Sequence, residues 1–188
     1  MTEAAAPAAV VHQGDKEADH HAYFRPKDAA TLILIDRSGA KPKVLVGKRH
    51  DKVVFMPGKF VFPGGRVDKA DNRVPVAAPI TPELEANLLK GSPKITSGRA
   101  RALANAAIRE ACEETGLCLG RKVEKKTKLD GPWAPFADAG LLPDPSGLFL
   151  IARAITPPGR VRRFDTRFFL AALPDGQRLD ADAGLTHI

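Results

Sequence analysis

Residues 109–117 read Arg-Glu-Ala-Cys-Glu-Glu-Thr-Gly-Leu, and they close a long helical pattern. Ser97 reads as its cap, residues 98–115 as its body, and Gly116 as its stop. Ala102, Leu103, Ala106 and Ala107 give the helix a face of small apolar side chains, which must pack closely against something. Glu110, Glu113 and Glu114 stand at spacings of three and four, so they share one face a few ångströms apart. Three adjacent carboxylates repel one another unless a cation neutralises them. The fitting occupant is a hard divalent ion that takes oxygen ligands, Mg²⁺ or Mn²⁺. Such a cluster points to metal-assisted phosphate chemistry. A merely solvated helix face can carry the same trio, so what precedes the helix decides the reading.

Upstream lies Phe62-Pro63-Gly64-Gly65-Arg66-Val67-Asp68-Lys69-Ala70-Asp71, a glycine turn behind a short apolar run at 59–62. Residues 29–35 are apolar and β-favouring and predict a buried strand. Turn residues follow at 36–39, and 44–47 read as the second strand of a hairpin. Thr81-Pro82-Glu83 has the chemistry of a helix start, with the helix running to Lys90 and ended by Gly91. Residues 148–154 and 167–173 predict two further strands, with a Pro-rich loop at 131–145 before them. No internal repeat is present.

The glycine turn and the glutamate helix together resemble the box of the Nudix hydrolases. In that family a Gly is followed by five residues and a Glu, then seven residues, then Arg-Glu-apolar-any-Glu-Glu-any-Gly-apolar. Here Gly65 leads through five residues to Asp71, an acid where the family has Glu, and Arg109 to Leu117 matches the second half with Ala111 at an apolar position. The departure is the spacer, since residues 72–108 stand where seven are expected. The resemblance implies an α/β (α+β) Nudix fold, a mixed β-sheet sandwiched by helices, with a helical insertion at 72–96 inside the box. It divides the chain into a disordered leader at 1–24 and a Nudix hydrolase domain at 25–188, with the closing strand and helix of the fold short or missing. It implies Glu110 and Glu114 as principal metal ligands, and Glu113 as a further ligand or the holder of a metal-bound water. Arg109 would orient a glutamate by a charge-assisted hydrogen bond. Gly64 and Gly65 would let the backbone approach the substrate closely. Asp71 has the right count from Gly65 but could be displaced by the insertion, and Asp68 could serve a structural turn.

The general base in many members is a glutamate on a later loop. Residues 131–188 contain no glutamate, which leaves Asp138, Asp144, Asp165, Asp175, Asp180 and Asp182, or a box glutamate itself.

A narrower resemblance covers the region before the box. The coenzyme A diphosphatase branch carries Leu-Leu-Thr-any-Arg-small, then an Arg, a Gly and Phe-Pro-Gly-Gly at fixed intervals. This chain has Leu45-Val46-Gly47-Lys48-Arg49-His50, then Gly58, then Phe62 to Gly65 with the correct counts. Val54 stands in place of the second Arg, and Gly47 and His50 also depart. The insertion and the string from Arg163 to Leu170 are similar to the animal peroxisomal coenzyme A diphosphatases. The resemblance implies cleavage of coenzyme A or acyl-CoA to phosphopantetheine and adenosine 3′,5′-bisphosphate, with Arg49, Gly64 and Gly65 on the substrate. The alternatives are another nucleoside-diphosphate-X substrate such as ADP-ribose or NADH, RNA decapping, and a non-catalytic ligand sensor. It also allows a homodimer.

The bulk properties agree with a small anionic substrate. The 188 residues carry a net charge of +7, spread along the chain except for the short cluster Arg160-Val161-Arg162-Arg163. With one Trp and one Tyr, stacking platforms for nucleic acid are scarce, so nucleic acid is not an expected partner. No apolar run approaches a membrane span, and the Ala-rich start lacks the basic opening of a signal peptide. His20 and His21 are adjacent but have no ligating partners nearby. The two cysteines, Cys112 within the helix and Cys118 beyond its cap, are expected to be unpaired, which suits a reducing cytoplasm.

Overall fold

The computed structural model describes residues 25–48, 58–90, 92, 94–124, 127–160 and 162–174. In chain order the strands are β1 (Lys27–Asp36), β2 (Lys43–Val44), β3 (Gly47–Lys48), β4 (Phe60–Val61), β5 (Gly64–Arg66), β6 (Gly120–Lys122), β7 (Leu141–Pro143), β8 (Phe149–Ile155) and β9 (Phe164–Ala172). The α-helices are α1 (Pro82–Lys90), α2 (Ser97–Thr115) and α3 (Ala134–Asp138).

The main sheet runs β2-β1-β9-β8, with β5 also paired to β1. β1 lies parallel to β9 and antiparallel to β2 and β5, so the sheet is mixed. Alternation along β1 sets its two faces. Ala30, Leu32 and Leu34 are fully buried on one face, where α2 packs, while Thr31, Ile33 and Ile35 on the other are only partly covered. The alanines of α2 decide the fit. Ala100, Ala104, Ala107 and Ala111 are fully buried beside Leu103 and Ile108, and small side chains let the helix axis sit close to the sheet. α1 adds Leu84 and Leu88 to the same core.

The helix signals hold with one displacement. Thr81 Oγ1 accepts from the Leu84 amide at 3.1 Å, so α1 begins at Pro82 as its cap chemistry requires. The cap of α2 is Thr96 rather than Ser97: the extended Thr96 accepts from the Arg99 amide at 3.3 Å, one residue earlier than expected. Gly116 ends α2 in the left-handed region at φ 72°, and its N–H reaches the Cys112 carbonyl.

That reversal overturns the expectation of unpaired cysteines. Past Gly116 the chain doubles back along the last helical turn, and Cys118 forms a disulfide with Cys112, their Cα atoms 4.4 Å apart. A reducing compartment therefore has no support from these two residues.

Three other expectations are corrected. The strand at 44–47 is two short pieces: β2 closes a hairpin on β1, and β3 pairs instead with β4. The Pro-rich loop at 131–145 is structured, holding two 3₁₀ turns, α3 and β7, with Pro135 in the first turn of α3 where its missing N–H costs nothing. The Gly-Gly turn itself forms β5 on the edge of β1. The leader at 1–24, the segment around Arg49 and residues 175–188, which include the expected closing stub, lie outside the described residues.

Candidate active site

Arg109 organises the site. It is 5% exposed in its side chain and donates through all three nitrogens. Nε and Nη2 hold the Asp71 carboxylate at 2.8 and 3.1 Å in a bidentate pair. Nη2 also donates to the Arg66 carbonyl at 3.0 Å, and Nη1 to Glu110 at 2.9 Å and Glu113 at 2.8 Å. Burial works against the guanidinium charge, but the Asp71 hydrogen bond and the charges of Glu110 and Asp71 outweigh it and hold Arg109 still more firmly protonated.

Asp71 is fully buried in a 3₁₀ turn at Ala70–Asn72. Its Oδ2 accepts from the Asp68 amide at 2.7 Å, and its carbonyl accepts from Asn105 of α2 at 2.9 Å. The insertion therefore leaves Asp71 beside the helix, as the anchor of Arg109. Asp68 turns the chain: its carboxylate accepts from the Ala70 amide at 2.8 Å.

Glu110 and Glu114 converge on the glycine turn. The Gly64 amide donates to Glu114 Oε2 at 3.1 Å. A Cβ on Gly65 would collide with the Glu110 carboxylate, so only glycine admits that side chain here. Burial pushes Glu110 above the ordinary 4.5, although Arg109 opposes the shift. Glu113 is more open, with a side chain 35% exposed. Beside the turn lies a cavity of about 440 Å³, walled by Thr31, Gly64, Gly65, Arg66, Glu110 and Arg162 among others. Its two arginines suit an anionic ligand, and neither is among the substrate-binding residues that the family motif implies.

The donor chemistry suits a hard cation, since Glu110 and Glu114 bring carboxylate oxygens to one glycine cradle. Among the described residues no group of three His, Cys, Asp or Glu side chains closes into a metal-ligating cluster. Of the aspartates considered as base, none of Asp138, Asp144 and Asp165 lines this cavity, and Asp175, Asp180 and Asp182 lie outside the described residues, as does Arg49. Burial pushes Asp144 up, but Ser146 and Arg121 outweigh it and hold it below the usual 3.8, as a structural ion pair.

No family model matches the chain. Over 166 residues it is 28% identical to "Putative nudix hydrolase 7" of Caenorhabditis elegans, covering 82% of this chain and 47% of that protein. The chain thus spans about half the length of the curated relative it matches. The solved structure of a Nudix hydrolase from Alicyclobacillus acidocaldarius is 33% identical, with a TM-score of 0.58, covering 85% of this chain and 73% of that one. With this identity and coverage, and with a mixed sheet, glycine turn and glutamate helix in place, the chain belongs to the Nudix hydrolase family. Among the described residues no helix is long and apolar enough to cross a membrane.

Proposed function

We propose that the chain is a Mg²⁺- or Mn²⁺-dependent diphosphatase acting on a small nucleoside-diphosphate-X substrate, with coenzyme A or acyl-CoA as the substrate cleaved. The observation that carries this reading is the convergence of Glu110 and Glu114 on the Gly64–Gly65 turn, at the mouth of a cavity that also presents Arg66 and Arg162.

Glu110 and Glu114 would hold the ion, with Glu113 as a further ligand or the holder of an ion-bound water. When bound, the ion supplies charge neutralisation and an activated water. The chain's own groups do the positioning. Arg109, fixed by buried Asp71, aims Glu110 and Glu113, and the Gly64 amide aims Glu114. Arg66 and Arg162 give the cavity cationic groups for the diphosphate oxygens. The coenzyme A assignment draws support from the Gly58 and Phe62 to Gly65 spacing and from the insertion.

Product analysis by mass spectrometry tests this reading. The protein is incubated with Mg²⁺ and coenzyme A, acyl-CoA, ADP-ribose, NADH or capped RNA. Release of adenosine 3′,5′-bisphosphate supports the coenzyme A assignment. Cleavage of another substrate alone overturns that assignment and keeps the diphosphatase. Ligand-dependent stabilisation with no turnover would replace it with a sensor.

A further inference from the structure

A second cavity, about 540 Å³, lies at the opening ends of β1 and β9, beneath the segment that links α1 to α2. That volume is within the range of small-molecule pockets, about 300–1,000 Å³. Its floor is a fixed ion-pair lattice. Arg167 is 2% exposed, donates to Ser92 Oγ at 2.7 Å and pairs with Asp165 at 2.6 Å. Arg153 grips the same Asp165 through two hydrogen bonds of 2.8 and 2.7 Å, and Arg99 pairs with Asp28 at 2.6 Å. Those two carboxylates are therefore already matched by three guanidinium groups.

Four more cations, Arg25, Lys27, Arg66 and Lys94, line the same cavity, and no ion pair among the described residues joins any of them to an acid. Seven cations thus face two carboxylates. Such a surplus around a concave wall focuses a positive potential. The insertion at 72–96 adds to this wall, supplying the cation Lys94 and the hydroxyl of Ser92 that holds Arg167. Arg66 lines both this cavity and the one at the glycine turn, so the two adjoin.

We propose that this basic cavity is a phosphate-binding site separate from the diphosphate-cleaving site, taking a phosphate monoester or free phosphate. Arg167 and its acid partners form the rigid base, and Arg25, Lys27, Lys94 and Arg66 supply the attracting charge. A phosphate carried at a distance from the scissile diphosphate would enter here, past Arg66, and this version rests on the diphosphatase reading. A free phosphate ion would bind without it.

Calorimetric titration of the metal-free protein with inorganic phosphate and with adenosine 3′,5′-bisphosphate tests the site. Arg25→Ala and Lys94→Ala remove two exposed cations and leave the ion-pair floor intact. The double variant, with an unchanged melting temperature, binds about tenfold more weakly, the loss of one or two charge-assisted contacts. Lys94→Arg restores binding, and Glu110→Gln binds like the parent because its carboxylate belongs to the other cavity. Absence of phosphate binding, or equal binding by the double variant, overturns the site. The source of the phosphate is read from coenzyme A against dephospho-coenzyme A, which differ by one phosphate. A smaller KM preference for coenzyme A in Lys94→Ala assigns the site to the substrate's own phosphate, and an unchanged preference with weakened phosphate titration assigns it to the free ion. If neither compound is cleaved by the parent protein, the coenzyme A assignment falls while the titration still decides the phosphate site.

Discussion

Two clusters in this molecule are built on the same plan and carry opposite surpluses. Each centres on a nearly buried arginine locked to an aspartate: Arg109 on Asp71, and Arg167 on Asp165. Around Arg109 the surplus is negative, because Glu110, Glu113 and Glu114 crowd one turn of α2. Around Arg167 it is positive, because Arg25, Lys27, Arg66 and Lys94 join three arginines against two acids. The buried pair fixes geometry in both places, and the unmatched neighbours set which charge each place attracts.

The largest break in that comparison comes from removing the central arginine. Arg109→Met leaves Asp71 fully buried with its cation gone, a situation that costs about 3–5 kcal/mol. Arg167→Met costs less, about 1–3 kcal/mol, because Arg153 still grips Asp165. Urea unfolding of both variants checks the ranking, and an equal or reversed loss would show that the two centres are not anchored as described.

Next in size is the chemistry of the acidic cluster. If Glu114 holds the ion as proposed, Glu114→Gln keeps the shape and removes one anionic ligand, so turnover falls about a hundredfold with little change in the urea midpoint. Chelator titration of the parent, which should silence it, gives the matching control. Near-normal turnover in the variant would remove Glu114 from the site.

The glycine pair sharpens the picture further. In Gly64→Ala the new Cβ meets backbone, 2.7 Å from Thr31 Cα, so the strand must shift at a cost of about 1–3 kcal/mol. In Gly65→Ala its three nearest neighbours all belong to the end of the Glu110 side chain, which can swing aside. Gly65→Ala should therefore fold almost normally and lose turnover, whereas Gly64→Ala loses stability first. Thermal melts beside initial rates distinguish them.

The smallest effect is a pH dependence at the basic cluster. Burial raises Asp165, but the Arg153 hydrogen bonds and the charge of Arg167 outweigh it and hold it below 3.8. Its ionised form is thus favoured by folding. That contribution is fully present above about 3.9, the unfolded value, and is lost as pH falls through the lower folded value. The stability gap between the parent and Asp165→Asn should narrow as pH drops from 5 to about 2. A gap that stays constant would mean that the pairing does not favour the charged form.

Much of the scaffold is legible in the sequence. Continuous apolar residues mark β1, the Thr81-Pro82 and Gly116 signals bound α1 and α2, and the glutamate spacing places three acids on one face. These are local features, set by period and by cap chemistry within a few residues. The three-residue strands β5, β6 and β7 are too short to show a period, and α3 hides in a Pro-rich stretch.

The sequence by itself determined the Nudix box, its acids and the helix that carries them. Only the tertiary structure decided that Asp71 anchors Arg109 across 38 positions, that Cys112 pairs with Cys118, and that cations from β1, β5, β8, β9 and the insertion share one cavity. Helical and strand periods act over a few residues. Which charge meets which across the core depends on how the sheet edge, the inserted segment and α2 pack together, and no local period encodes that.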